Sequence, residues 1–147
     1  MVSKAMQEAL NNQVQMEAES SQAYLAMASW SDIQPGLSGI TDFFYQQSDE
    51  ERLHMLKLIR FINERGGFAL IPALPQPMVM FKSIKNVFEE YLKHELLVSS
   101  SINDLVHLSL SEKDYATHNF LQWYVNEQME EERSIRITND KLQLVGD

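Results

Sequence analysis

Apolar residues recur at the three- and four-residue spacing of a helix face through four long stretches, with helix breakers between them. The first covers about residues 3–32 and stops at Pro35-Gly36. The second covers 38–65 and ends at Arg65-Gly66-Gly67, where a glycine can take the left-handed C-terminal cap. The third covers 83–110. The fourth, 112–143, opens with Ser111-Glu-Lys-Asp114, a serine followed three residues on by an acid that can cap it back. A handful of residues join the first to the second and the third to the fourth, so each pair is expected to be an antiparallel hairpin. Residues 68–82, between the second and third, hold Pro72, Pro75 and Pro77 and cannot be helical throughout. Fully extended they reach roughly 50 Å, against a second helix roughly 42 Å long. Such a linker can run the length of a bundle and set helices two and three parallel. The expectation is an all-α chain, a single four-helix bundle domain over 1–147 with one long crossover.

Polar residues interrupt the apolar stripes. Glu17 shares its face with Leu10, Val14 and Tyr24, and Glu51 shares its face with Phe44, Met55 and Leu58. His54 lies with Leu58 and Phe61, and Glu95 with Tyr91, Val98 and Ile102. On the fourth helix, Gln128 lies among Leu121, Tyr124, Val125 and Ile135, and Glu131 falls between Tyr124 and Ile135. Each helix therefore turns a carboxylate inward, which is costly without a compensating cation. The heights match. Glu17 is 18 residues before Pro35 and Glu51 is 16 after it; Glu95 is 16 before Ser111 and Gln128 is 17 after it. Those offsets differ by only about 3 Å along each hairpin. An antiparallel second and third helix would also align them, so the matching supports a site rather than a topology.

Composition narrows the chemistry of that site. The 147 residues carry a formal charge of −9 and no cysteine, which excludes disulfides and thiolate metal sites. Excess negative charge argues against nucleic acid and anionic membranes as partners. No apolar run is long enough to span a bilayer, and the N-terminus lacks a signal core, so a cytoplasmic protein is expected. Oxygen ligands with one imidazole suit iron or manganese better than zinc. The spacing Glu51-x-x-His54 puts two ligands on one face. Carboxylate di-metal bundles usually have a second such motif, but here the fourth helix reads Glu127-Gln128-Met129-Glu130-Glu131. Glu127 and Glu131, like charges one turn apart, need water or a cation between them.

Taken singly, these features have plainer readings. A lone His54 is more often a satisfied core histidine, and the run Glu130-Glu131-Glu132 is more often a solvated face. Tyr24, Trp123 and Tyr124 would ordinarily be core packing, and Met6, Met16, Met27, Met55 and Met129 core fillers. His94, His107 and His118 read as surface or capping groups. Inward carboxylates on four helices at one height outweigh the separate readings.

Nearly the whole chain resembles bacterial non-haem ferritin. The resemblance is carried by Gln46-Gln-Ser-Asp-Glu-Glu-Arg-Leu-His54, Arg65-Gly-Gly67 and Asn119-Phe-Leu-Gln-Trp-Tyr-Val-Asn-Glu-Gln-Met-Glu-Glu131. It implies a ferritin-like bundle with a ferroxidase centre that oxidises two Fe(II) with dioxygen or peroxide and passes Fe(III) into a hollow shell as mineral. By the same resemblance, Glu17 and His54 hold the first iron, Glu51 bridges, and Glu95 and Glu131 hold the second. Glu50, Glu127 and Glu130, sharing Glu131, form a third iron site; Gln128 sits beside the pair, and Tyr24 is a nearby hydrogen-bond or electron donor. Haem-containing bacterioferritins carry a methionine beside the second-helix glutamate; Arg52 stands there, so no haem is expected. The implied assembly is a homo-oligomer, typically of twenty-four subunits. Relatives continue into a fifth helix about where Leu142-Gln-Leu-Val-Gly-Asp147 ends, so that helix is expected to be absent. A di-iron oxidase or oxygenase acting on an organic substrate, and a metal-free helical scaffold, are the alternatives.

Overall fold

A computed structural model describes residues 1–145; Gly146 and Asp147, at the end of the stretch where a fifth helix would begin, lie outside the described residues. Four helices make up the fold: α1 (Lys4–Asp32), α2 (Ser38–Glu64), α3 (Ile84–Ser111) and α4 (Tyr115–Val145). Local chemistry sets their ends. Ser3 Oγ accepts the Met6 N–H at 3.0 Å, and Ser83 Oγ accepts that of Asn86 at 3.1 Å, so each serine satisfies a first-turn donor. At the end of α2, Gly66 takes φ 80°, and the Gly66 and Gly67 N–H groups reach the Asn63 and Ile62 carbonyls.

The third turn differs from the sequence expectation. Helix α3 continues through Ser111, and the same type of C-terminal cap forms with Lys113 at φ 58° in the place a glycine usually takes. Asp114, not Ser111, then starts α4: its Oδ1 accepts the Thr117 N–H at 3.1 Å and its Oδ2 the Thr117 hydroxyl at 2.6 Å. A carboxylate with two free oxygens thus supplants the serine as the cap.

Cross-helix contacts give the directions. Tyr91, near the start of α3, bonds Gln47 and packs on Phe44 near the start of α2, so α2 and α3 are parallel. Ser21 on Ser48 and Thr41 on Ser31 make α1 and α2 antiparallel. The stacked pair Phe61–Phe120 and the Arg65–Asp114 bridge do the same for α2 and α4. The crossover begins beside the start of α1, where Gln7 and Asn11 accept the Phe68 and Leu70 N–H groups. It ends with Phe81 edge-on to Trp30 at the far end of that helix.

The core divides in two. One cluster, Met6, Leu10, Val14, Leu58, Ile62, Val98, Ile102, Leu105, Leu121 and Tyr124, fills one end of the bundle almost entirely with aliphatic groups. The other, built on Tyr24, Met27, Phe44, Phe81, Phe88, Tyr91 and Ile135, is mainly aromatic. Between them lies a polar layer. Met129 is not a core filler: it is 63% exposed, since one residue past the inward Gln128 a helix has turned by about 100°. Trp123 is also partly exposed, with the Lys57 ammonium 4.3 Å over its ring.

Candidate metal centre

Each helix crosses this layer with buried polar residues: Gln13, Glu17 and Ser20 on α1, Glu51 and His54 on α2, Glu95 on α3, and Gln128 on α4. All seven are buried. Glu17, Glu51 and His54 converge so that one ligand atom from each lies within 4.8 Å of the others, and they are the one such group of three among the described residues. His54 Nδ1 stands 3.4 Å from Glu51 Oε2 and 3.8 Å from Glu17 Oε2. Even so, Glu17 Oε2 and both oxygens of Glu51 are buried without a hydrogen-bond partner. Such orphaned oxygens are rare in proteins and call for a cation.

Protons take the cation's place when it is absent. Burial alone would raise Glu17, but the neighbouring Glu51 and His54 outweigh it and hold the carboxyl below its usual range. Burial and the neighbouring Glu17 push Glu51 well up. Burial would depress His54, yet the two carboxylates raise it to about 10. Within the trio, then, Glu17 favours ionisation, Glu51 resists it, and His54 keeps its proton up to about 10.

Glu95 and Glu131 are arranged differently. Tyr24 donates its hydroxyl to Glu95 Oε1, and Gln128 Nε2 reaches Glu95 Oε2 at 3.1 Å. Burial raises Glu95 to about 7 against those two donors. Glu131 Oε2 accepts the Tyr91 hydroxyl at 2.8 Å. Burial also raises Glu131, with Glu50 and Glu127 close enough to add to the effect. Those two side chains are half-buried and Glu130 is exposed; no second group of three ligand atoms forms among them in the described residues. Clustered like charges have no reason to converge without a cation, and Tyr91 holds the Glu131 they would share.

Several supporting residues escaped the sequence reading. Gln13 Nε2 donates to Glu17 Oε1 at 3.1 Å while Ser101 donates to Gln13 Oε1, so both ends of the amide are held. Gln47 and Tyr91 meet at 3.0 Å. Gln13, Gln47 and Tyr91 each stand four residues before an inward glutamate, a signal the sequence does carry. His94 is half-buried and does not cap a helix: its Nε2 lies 2.7 Å from Ser20 Oγ and its ring meets Tyr24 edge-on.

Residues 7–145 match the family described as the ferritin-like domain. A probable bacterial non-haem ferritin-like protein of Haemophilus influenzae is 43% identical over all of this chain and 88% of its own length. A bacterial non-haem ferritin of Campylobacter jejuni is 41% identical over all of this chain and 87% of its own. The chain belongs to the bacterial non-haem ferritin family. Among solved structures, a Chlorobium tepidum ferritin superposes with a TM-score of 0.95 at 43% identity, covering 99% of this chain and 88% of that one. An open pore ferritin of Archaeoglobus fulgidus reaches 0.96 at 41% identity, covering 100% and 90%. The all-α bundle with its single long crossover is thus the ferritin fold, and none of its described helices is long and apolar enough to cross a membrane.

Proposed function

We propose that the chain is an iron-storage ferroxidase that binds Fe(II) as substrate in its polar layer, oxidises it and passes Fe(III) on as mineral. The observation that carries this reading is the buried trio Glu17, Glu51 and His54, which brings one ligand atom from each residue together and leaves three carboxylate oxygens orphaned. Hard oxygen donors with one imidazole fit Fe(II) and favour Fe(III) still more. In this reading Glu17 and His54 hold the first iron, and Glu51 bridges to a second held by Glu95 and Glu131. Glu50, Glu127 and Glu130 then join Glu131 in a third site, with Gln128 beside the pair and Tyr24 holding Glu95. Two Fe(II) give one electron each to dioxygen, which takes up two protons and leaves as hydrogen peroxide. With peroxide as oxidant, the same two electrons break the O–O bond and two further protons yield two waters. The protons of Glu51 and His54, displaced by metal, are at hand for either course. The relatives named as ferritins support storage, in an oligomeric shell built from copies of the chain in the cytoplasm.

Anaerobic loading with Fe(II), followed by admission of air while ferric absorbance is tracked in the near ultraviolet, tests the proposal. Fast oxidation that continues into mineral growth is expected. No metal binding would leave only a helical scaffold, and oxidation that stops at the bound ions would favour an oxygenase.

A further inference from the structure

Glu131, one of the two carboxylates assigned to the second iron, is held by a buried tyrosine. Tyr91 is 1% exposed, and its ring is clamped edge-on by Tyr24, Phe44 and Phe43 at 4.8, 5.3 and 5.8 Å. Its hydroxyl is therefore a fixed point. Two acceptors stand beside it, Glu131 Oε2 at 2.8 Å and Gln47 Oε1 at 3.0 Å. A phenol has one proton and can serve one of them fully at a time. Gln47 is itself buried, one helical turn before Glu51, while Tyr91 is one turn before Glu95. The three residues thus form a layer adjoining the carboxylates, on the aromatic side.

We propose that Tyr91 and Gln47 are positioning residues that latch Glu131 away from the second metal position and hand it over when an ion arrives. When Glu131 turns to the metal, the Tyr91 O–H rotates to Gln47 Oε1, so no buried donor is stranded. Without Gln47, release of Glu131 would leave that hydroxyl unpaired; without the hydroxyl, nothing would compete with the metal for Glu131. The latch rests on the ferroxidase reading, in which Glu131 is a ligand of the second ion.

The two partners therefore have opposite effects on the second ion. Anaerobic calorimetric titration with Co(II), which does not undergo the oxidation, reads both affinities directly. Tyr91→Phe should tighten the second ion by about tenfold and leave the first unchanged. Gln47→Leu should weaken the second ion by a similar factor. In the double variant, Gln47→Leu should have no further effect, because the hydroxyl it would strand is gone. A merely structural role would weaken binding in both variants, and shifts of the same sign, or none, would overturn the latch while the ferroxidase reading stood. Glu131→Ala separates the two: it should leave one ion bound, and two ions bound at normal affinity would overturn the assignment of Glu131 and the latch with it. Unchanged far-ultraviolet circular dichroism in each variant guards against misfolding.

Discussion

On the α1–α2 side of the polar layer, three carboxylate oxygens of Glu17 and Glu51 have no hydrogen-bond partner. On the α3–α4 side, both oxygens of Glu95 and one of Glu131 are already held, by Tyr24, Gln128 and Tyr91. The first half is an incomplete structure that a cation completes. The second is largely satisfied by the protein's own donors, with which a cation must compete. Burial alone does not distinguish them, since Glu51 and Glu95 are both within 1% of full burial. The difference comes from the cores behind them. The aromatic end supplies phenols that reach Glu95 and Glu131, whereas the aliphatic end sends its one phenol, Tyr124, to the His54 backbone carbonyl at 2.6 Å.

Removing the half with the orphaned oxygens should have the largest effect. Glu51→Ala or His54→Ala should cost at least ~100-fold in the initial rate of Fe(II) oxidation, because outer-shell partners of a metal alone are worth 10- to 100-fold. The helical signal should survive, and a stopped-flow rate near normal would misplace the site. A milder cut, Glu95→Ala, should reduce Co(II) stoichiometry from two ions to one with the first affinity kept, as read by calorimetry.

Titration sharpens the contrast. His54, at about 10 when metal-free, must lose its proton to bind a metal, and Glu51 must lose one too. First-ion affinity should therefore rise with pH across the neutral range, by roughly tenfold or more per unit, with matching proton release in weakly buffered solution. For the metal-free fold the sign is the reverse. The stabilisation from the raised His54 is full below about 6.5 and fades as pH climbs through 10. A first-ion affinity indifferent to pH would contradict the protonated trio.

The smallest effects are on stability without metal, and they should differ in sign between the halves. Glu51→Leu removes orphaned oxygens and should raise unfolding free energy by about 1–3 kcal/mol, while Glu95→Leu strands the Tyr24 hydroxyl and should lower it by a similar amount. Chemical denaturation of the metal-free variants measures both.

The sequence made the carboxylates of this layer readable and hid their inequality. Glu17, Glu51, His54 and Glu95 stand out because a charged residue inside an apolar stripe breaks a strong periodic expectation. Tyr91 and Tyr24 do not, because a tyrosine in a stripe looks like core whether or not its hydroxyl has work there. Gln13 is buried by packing between helices that are far apart in sequence, and its amide oxygen is held by Ser101, 88 residues away. The start of α4 escaped for a local reason: Ser111 and Asp114 are both good caps, and the choice fell to the one that follows the left-handed turn at Lys113. The third-site glutamates were legible as a charge run, but without a cation mutual repulsion keeps them from declaring a shared point.

The central claim is that the two halves fill in order, with the orphaned oxygens first. Crystals soaked anaerobically for short times with limiting Fe(II), and measured at the iron absorption edge, test it most directly. The first and strongest anomalous peak is expected among Glu17, Glu51 and His54, with the Glu95–Glu131 position filling only at higher loading. A first peak at Glu95, or out among Glu127 and Glu130, with the trio still empty would contradict it.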